Sequence, residues 1–143
     1  TKQGMDLHTS SLIQMVAYEV AKDGFLTDHV RQIRQTYRQR RDIMLAEMSR
    51  HFPAGVRWTT PQGGLFLWVT LPDELDSTAV LEEAIAHKVA FVPGATFYPD
   101  GSGTNSFRLN FSNAKPEEIR EGINRLGQVL HKVVDPVPAP AAA

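Results

Sequence analysis

Phe107-Arg108-Leu109-Asn110-Phe111 alternates apolar and polar residues without a break, the period of two expected of a strand with one face in a core and the other turned away. Phe107, Leu109 and Phe111 are assigned to the core. Arg108 and Asn110 take the opposite face, together with Ser112 where the strand runs on. Upstream, the turn-rich stretch Tyr98-Pro99-Asp100-Gly101-Ser102-Gly103 separates this strand from a short one, Ala90-Phe91-Val92, which Pro93-Gly94 stops. Further back, Gly64-Leu65-Phe66-Leu67-Trp68-Val69 is apolar on both of its alternating faces and is expected to be a strand buried on both. The turn Pro61-Gln62-Gly63-Gly64 joins it to a short strand at Val56-Arg57-Trp58.

Helical periods flank and interrupt these strands. Leu12, Ile13, Val16, Ala17 and Val20 recur at helical spacing behind Thr9-Ser10-Ser11, where Ser11 and Gln14 have the form of a capping box and Gly24 supplies a stop. Thr27 and Asp28 are expected to open a longer helix with Val30, Ile33, Tyr37, Met44 and Met48 on one face. Arg31, Arg34, Arg38 and Arg41 form another face, a solvated or ion-paired stripe, since the turn and partner helix of a DNA-reading element are not evident. Asp76 or Ser77 can cap a third helix carrying Val80, Leu81, Ala84 and Ile85. Pro116-Glu117-Glu118 mark the first turn of a last helix, which Ile119, Ile123, Leu126, Leu130 and Val133 continue. The order helix, helix, strand, strand, helix, strand, strand, helix predicts an α+β, two-layer domain with helices packed on a small, mostly antiparallel sheet.

Composition narrows the chemistry. A chain of 143 residues with 42% apolar and 22% charged residues can form a core without metal or disulfide staples. With no cysteine, thiolate nucleophiles and Cys-ligated metal are excluded. Fifteen basic against sixteen acidic residues leave a net charge of −1, which argues against a nucleic-acid partner. No run of 18 apolar residues is present to span a membrane. Thr1 stands where an initiator Met would, so a chain cut from a longer one is expected, and no signal-peptide pattern is visible. The tail at 135–143, rich in Pro and Ala, is expected to be disordered.

Most candidate sites have plain structural readings. The five histidines, His8, His29, His51, His87 and His131, include no pair at i and i+4, so no metal is assigned. Asp100-Gly101-Ser102-Gly103 lacks the strand and helix of a phosphate loop. The neighbouring pairs Glu82-Glu83 and Glu117-Glu118 point in different directions on their helices. Arg108 is different, because a guanidinium in mid-strand must go somewhere defined. Either it pairs with an acid on the sheet face, or it is a bidentate clamp for a substrate carboxylate.

Four stretches, in this order and spacing, resemble the C-terminal part of fold type I, class I aminotransferases that use pyridoxal phosphate. They are Lys2-Gln3-Gly4-Met5-Asp6-Leu7-His8-Thr9, Pro61-Gln62-Gly63-Gly64-Leu65-Phe66-Leu67-Trp68, Phe91-Val92-Pro93-Gly94-Ala95-Thr96-Phe97 and Arg108-Leu109-Asn110-Phe111-Ser112. The nearest likeness is to the 2-aminoadipate, kynurenine and broad-specificity subgroup, and it covers nearly the whole chain except the tail. The resemblance implies that Arg108 binds the α-carboxylate of an amino-acid substrate. It also implies that Gly63 and Gly64 bring backbone close to that substrate, although a plain turn explains the same glycines.

The resemblance further implies the small-domain fold, preceded by an interdomain helix: 1–26 closing a large cofactor domain, 27–134 forming the small domain, and 135–143 as tail. Lys2, Lys22, Lys88, Lys115 and Lys132 match none of the family's catalytic contexts, so the Schiff-base lysine is expected upstream. No catalytic, cofactor-binding or metal-binding residue is therefore assigned, and pyridoxal phosphate is expected in the full-length parent alone. The isolated chain is expected to be inactive. The expected partners are the missing large domain, an amino acid and a 2-oxo acid, and a second copy in a cytoplasmic homodimer. Two other readings are an aminotransferase-like effector domain of a DNA-binding regulator, and a free-standing α+β binding domain. Regulators of that kind tend to carry Gly-Leu-His where this chain has Gly64-Leu65-Phe66.

Overall fold

The computed structural model describes residues 2–5 and 8–134. The tail at 135–143 lies outside the described residues, as do parts of the first of the four stretches. The backbone divides into two compact units, Thr1–Thr36 and Tyr37–Ala143. The first holds the short helix α1 (Lys2–Met5), helix α2 (Ser11–Ala21) and the start of α3 (Phe25–His51). The second holds the rest of α3, then β1 (Arg57–Trp58), β2 (Phe66–Thr70), α4 (Ser77–Ala86), β3 (Val92–Pro93), a 3-10 turn (Gly94–Phe97), β4 (Ser106–Asn110) and α5 (Pro116–Val134).

In the second unit, four antiparallel strands lie in the order β1-β2-β4-β3, which makes the domain α+β with helices on a small sheet. The alternation in β4 is realised: Phe107, Leu109 and Phe111 are buried, and Leu67 and Val69 join them from β2 on the same face. Against this face lie Met44 and Met48 from α3, Val80 and Ala84 from α4, and Ile119, Ile123, Leu126, Val129 and Leu130 from α5. Phe91 and Phe107 stack with ring centroids 4.1 Å apart. Burying each such aliphatic or aromatic side chain stabilises the fold by about 1.5–3 kcal/mol.

The other face of the sheet corrects the expectation for β2. Leu67 and Val69 are buried, but Phe66 is 37% exposed and Trp68 and Thr70 are half-buried. Phe66 and Trp68 lie opposite Asn110 and Arg108 across the β2–β4 ladder, so this face is shared with polar residues. An antiparallel sheet can leave one face open in this way.

Helix ends account for the other differences. The capping box at Ser11 is not formed: Ser10 holds the N-cap position without a side-chain cap bond, and Gln14 Nε2 donates to the Thr9 carbonyl at 2.9 Å. α2 ends at Ala21, ahead of Gly24, and Asp23 and Gly24 both adopt positive φ. That left-handed pair turns the chain straight into α3 at Phe25, two residues before the expected start. Asp28 accordingly sits in the first turn, where it pairs with Arg31 at 2.7 Å. Asp76 caps α4 as one of the two expected alternatives, accepting from the Thr78 amide at 2.7 Å. Ile85, assigned to the inner face of that helix, is exposed. Leu12, Ile13, Val16 and Val20 of α2 are all more than half exposed.

The arginine stripe is ion-paired at its C-terminal end, one of the two expected states. Arg41 pairs with Asp42 at 2.6 Å, and its Nη1 donates to the Pro61 carbonyl at 3.0 Å. The neighbouring Arg40 donates to the Ser112 carbonyl. One helix thus holds the turn before β2 and the end of β4.

Candidate functional site

Arg108 leaves the middle of β4 on the open face, opposite Trp68 on β2 and Val92 on β3. Its guanidinium carbon lies 3.9 Å from the centroid of the Phe66 ring and 4.5 Å from that of Phe97. Phe66 reaches it diagonally across the ladder, as same-face neighbours two residues out of register do. Phe97 arrives from the 3-10 turn and is backed edge-on by Trp68, with centroids 5.5 Å apart at 73°. Tyr98 adds a further ring against Trp68, at 6.2 Å.

The aromatic faces attract the cation through their quadrupoles and use none of its N–H groups. Arg108 Nε is shut off from solvent and has no hydrogen-bond partner. A buried donor left in this state costs about 1–3 kcal/mol, a cost that no acceptor among the described residues offsets. No ion pair joins Arg108 to an acid among the described residues. A shallow cavity of 270 Å³ opens beside it, lined by Phe66, Ala90, Phe91, Val92, Arg108 and Asn110. That lining is apolar apart from the guanidinium and one amide. It suits a ligand with a carboxylate and a non-polar body.

The two glycines assigned with Arg108 lie in the turn before β2. A Cβ at Gly63 or Gly64 meets nothing within 4 Å, and only Gly64, at φ +81°, needs glycine for its backbone. The exclusion of a side chain falls instead on Gly94, where a Cβ would overlap Ser106 Oγ and come within 2.8 Å of the Ser106 carbonyl oxygen. That close packing seats the 3-10 turn on β4 and so places Phe97.

Phe66 and Phe97 are the site residues that sequence reasoning missed. Diagonal pairing could have found Phe66, once β2 and β4 were set side by side. No period carries Phe97, which a four-residue turn delivers.

Elsewhere the charged groups pair with one another. Glu47, almost fully buried, is held by Arg50 at 2.9 Å and His51 at 3.3 Å. Lys132 lies 3.4 Å from Glu83 and 3.2 Å from His87 Nε2. The Ser102 hydroxyl and amide donate to Asp100 Oδ1 at 2.8 and 3.1 Å, and these bonds hold the Asp100 carboxyl below its ordinary pKa. Among the described residues, no cluster of three or more acidic or histidine side chains is placed to hold a metal, and no helix is long and apolar enough to cross a membrane.

Residues 2–126 match the family described as aminotransferase class I and II. The chain belongs to that family of enzymes. An uncharacterized aminotransferase of Saccharolobus solfataricus is 46% identical over 129 residues, which are 90% of this chain and 32% of the relative. The 2-aminoadipate transaminase of Thermus thermophilus is 41% identical over 129 residues, again 90% of this chain and 32% of the relative. The crystal structure of the alpha-aminoadipate aminotransferase LysN from Thermus thermophilus, complexed with N-(5'-phosphopyridoxyl)-L-leucine, superimposes with a TM-score of 0.86 at 40% identity. That match covers 95% of this chain and 35% of the other. The chain thus spans about a third of the length of the curated relatives it matches.

Pyridoxal phosphate, the cofactor that the aminotransferase family implies, does not fit the cavity beside Arg108 in this chain by itself. Its chemistry needs an amine to bind the aldehyde and an acid at the ring nitrogen, and neither a lysine nor a carboxylate lines the cavity beside Arg108. Lys22 is paired with Glu19, and Lys132 is engaged with Glu83 and His87.

Proposed function

We propose that this chain is the substrate-clamping, C-terminal part of a pyridoxal-phosphate-dependent aminotransferase that moves an amino group between an L-amino acid and a 2-oxo acid. Arg108 binds the substrate α-carboxylate. The observation that carries this reading is the guanidinium in contact with two aromatic rings and with no acid paired to it among the described residues. A guanidinium that pairs with no acid of its own chain keeps its fork for a carboxylate from elsewhere. Two parallel hydrogen bonds to a planar carboxylate fix the substrate's rotation as well as its place, and so orient the bonds at its α-carbon.

In this reading residues 1–26 close the large cofactor domain and 27–134 form the small domain. Gly63 and Gly64 border the route by which substrate reaches Arg108. The exposed apolar side chains of α2, from Leu12 to Val20, support a helix that packs on a larger domain. The phosphopyridoxyl-leucine adduct on the Thermus enzyme supports pyridoxal phosphate as the parent's cofactor, held by its large domain. We place the parent in the cytoplasm as a homodimer.

The test is Arg108→Lys and Arg108→Ala in the enzyme that carries this chain. Losing the planar fork removes one or both charge-assisted bonds and raises KM for the amino acid by about one hundredfold in the alanine variant. An unchanged KM takes Arg108 out of the site.

A further inference from the structure

Resting on that assignment of Arg108, we infer that Phe97 and Phe66 are positioning residues. They restrict the rotation of the guanidinium, and so make the site selective for planar carboxylates over tetrahedral anions. The rings lie 4.5 Å and 3.9 Å from the guanidinium carbon, within reach of a cation–π contact, for which about 6 Å is the limit. A free arginine side chain samples many rotamers, and its donors meet an anion from any direction. With two rings in contact with the guanidinium, its rotation is restricted and its N–H groups meet a ligand from a narrower range of directions. A carboxylate is planar and matches those N–H groups with two parallel bonds. A sulfonate or phosphonate places its three oxygens around a tetrahedral centre, so a fixed guanidinium meets it less well than a mobile one does.

The construction around the rings supports a set geometry. Phe97 belongs to a turn that Gly94 seats against Ser106 and Gly103, and within which Thr96 Oγ1 donates to the Pro93 carbonyl at 2.9 Å. Trp68 stands edge-on behind Phe97. Phe66 is fixed by β2, whose neighbours Leu67 and Val69 anchor the strand in the core. Yet Phe66 and Phe97 are themselves 37% and 43% exposed. Rings left that open add less to the core than buried ones do, so their placement over a cation is accounted for better by the cation than by packing.

The experiment uses the enzyme that carries this chain and two inhibitors with the same alkyl group, 4-methylpentanoate and 3-methylbutane-1-sulfonate. Inhibition constants are measured against an amino-acid substrate for the unaltered enzyme and for Phe97→Leu, Phe97→Tyr and Phe66→Leu, with Tm recorded for each. Phe97→Leu keeps apolar volume and removes the ring. It is expected to weaken carboxylate binding about tenfold and sulfonate binding less than about twofold, the scale of a partly desolvated cation–π contact. Phe97→Tyr restores the ring and the carboxylate preference, and Phe66→Leu repeats the effect of Phe97→Leu at a site on a different element.

Equal weakening of both inhibitors, or a tyrosine variant no better than leucine, overturns the inference. So does an unchanged ratio in both leucine variants. If either leucine variant fails to fold, the other decides. Failure of the underlying assignment is distinguishable, because Arg108→Lys would then leave the carboxylate inhibitor unaffected. If Arg108→Lys weakens it and the ring variants do not, only the role of the rings is refuted.

Discussion

Two glycines in α5 make the same substitution carry opposite signs. Gly122 and Gly127 lie five residues apart in one helix, and alanine at either gains about 1 kcal/mol of helix propensity. At Gly122 the new Cβ meets nothing within 4 Å, so Gly122→Ala is expected to keep most of that gain. At Gly127 the Cβ would overlap the His51 carbonyl oxygen, 2.9 Å from His51 Cβ and 3.0 Å from the carbonyl carbon. These are mainly backbone atoms at the end of α3, and no rotamer change moves them away. Overpacking of this kind costs about 1–3 kcal/mol, and an unyielding neighbour puts Gly127→Ala toward the upper end. Less the propensity gain, the net loss is about 1–2 kcal/mol. At about 4 °C per kcal/mol for a unit near 100 residues, Tm should rise by about 2–4 °C for Gly122→Ala and fall by about 4–8 °C for Gly127→Ala. Thermal unfolding followed by circular dichroism on the 143-residue chain measures both. Shifts of the same sign, or a stabilised Gly127→Ala, would refute the close seating of α5 on the end of α3.

Arg41→Ala removes the bond to the Pro61 carbonyl and the pair with Asp42, and the fold should lose about 1 kcal/mol. The specific sign is faster amide hydrogen exchange at Thr59 and Phe111, which donate to the Trp68 and Leu65 carbonyls beside that turn; unchanged exchange there would contradict it. The turn at Asp100 should be pH-sensitive in one direction. Hydrogen bonds from Ser102 hold the folded carboxyl below its ordinary pKa, so their stabilisation is complete above the usual aspartate range. It is lost as pH falls through the lowered folded value. The Ser102 amide resonance, followed by NMR on acidification, should move at that lower pH; a midpoint at or above the ordinary aspartate value contradicts the bonding.

Much of the fold was legible because the strongest patterns are the most local. Phe107, Leu109 and Phe111 alternate, and Ile119, Ile123, Leu126 and Leu130 keep a helical period, and all seven are buried. Both patterns arise from burying one face, which any single sequence records. The start of α3 was misplaced because Asp23 takes positive φ without being glycine, a choice that the residue type does not announce. β2 was expected to be buried on both faces because Phe66 and Trp68 are apolar. Phe66 covers a guanidinium and Trp68 backs Phe97 on the same side, and apolarity does not distinguish a ring against a core from a ring against a cation. Arg108 stood out as a charge inside an alternating strand, but its lack of an acid partner is a three-dimensional fact. Arg40, which holds Ser112, gave no pattern, being one more arginine on a basic helix.

The placement of Arg108 is set by the face it does not touch. Side chains alternate along β4, so a slip of one residue against β2 would carry Phe107 and Leu109 out of the core and Arg108 into it. The burial of those two residues beside Leu67 and Val69 makes that slip prohibitive. The core and the Arg108 guanidinium therefore lie on opposite faces of the same two strands. Large-to-small changes at Leu67 or Phe107 act on folding, whereas changes at Phe66 or Arg108 act on the open face. Gly94 joins the two, since its contact with Ser106 ties the turn bearing Phe97 to the strand bearing Arg108. A side chain there would disturb the spacing between ring and cation while leaving the buried face of β4 in place.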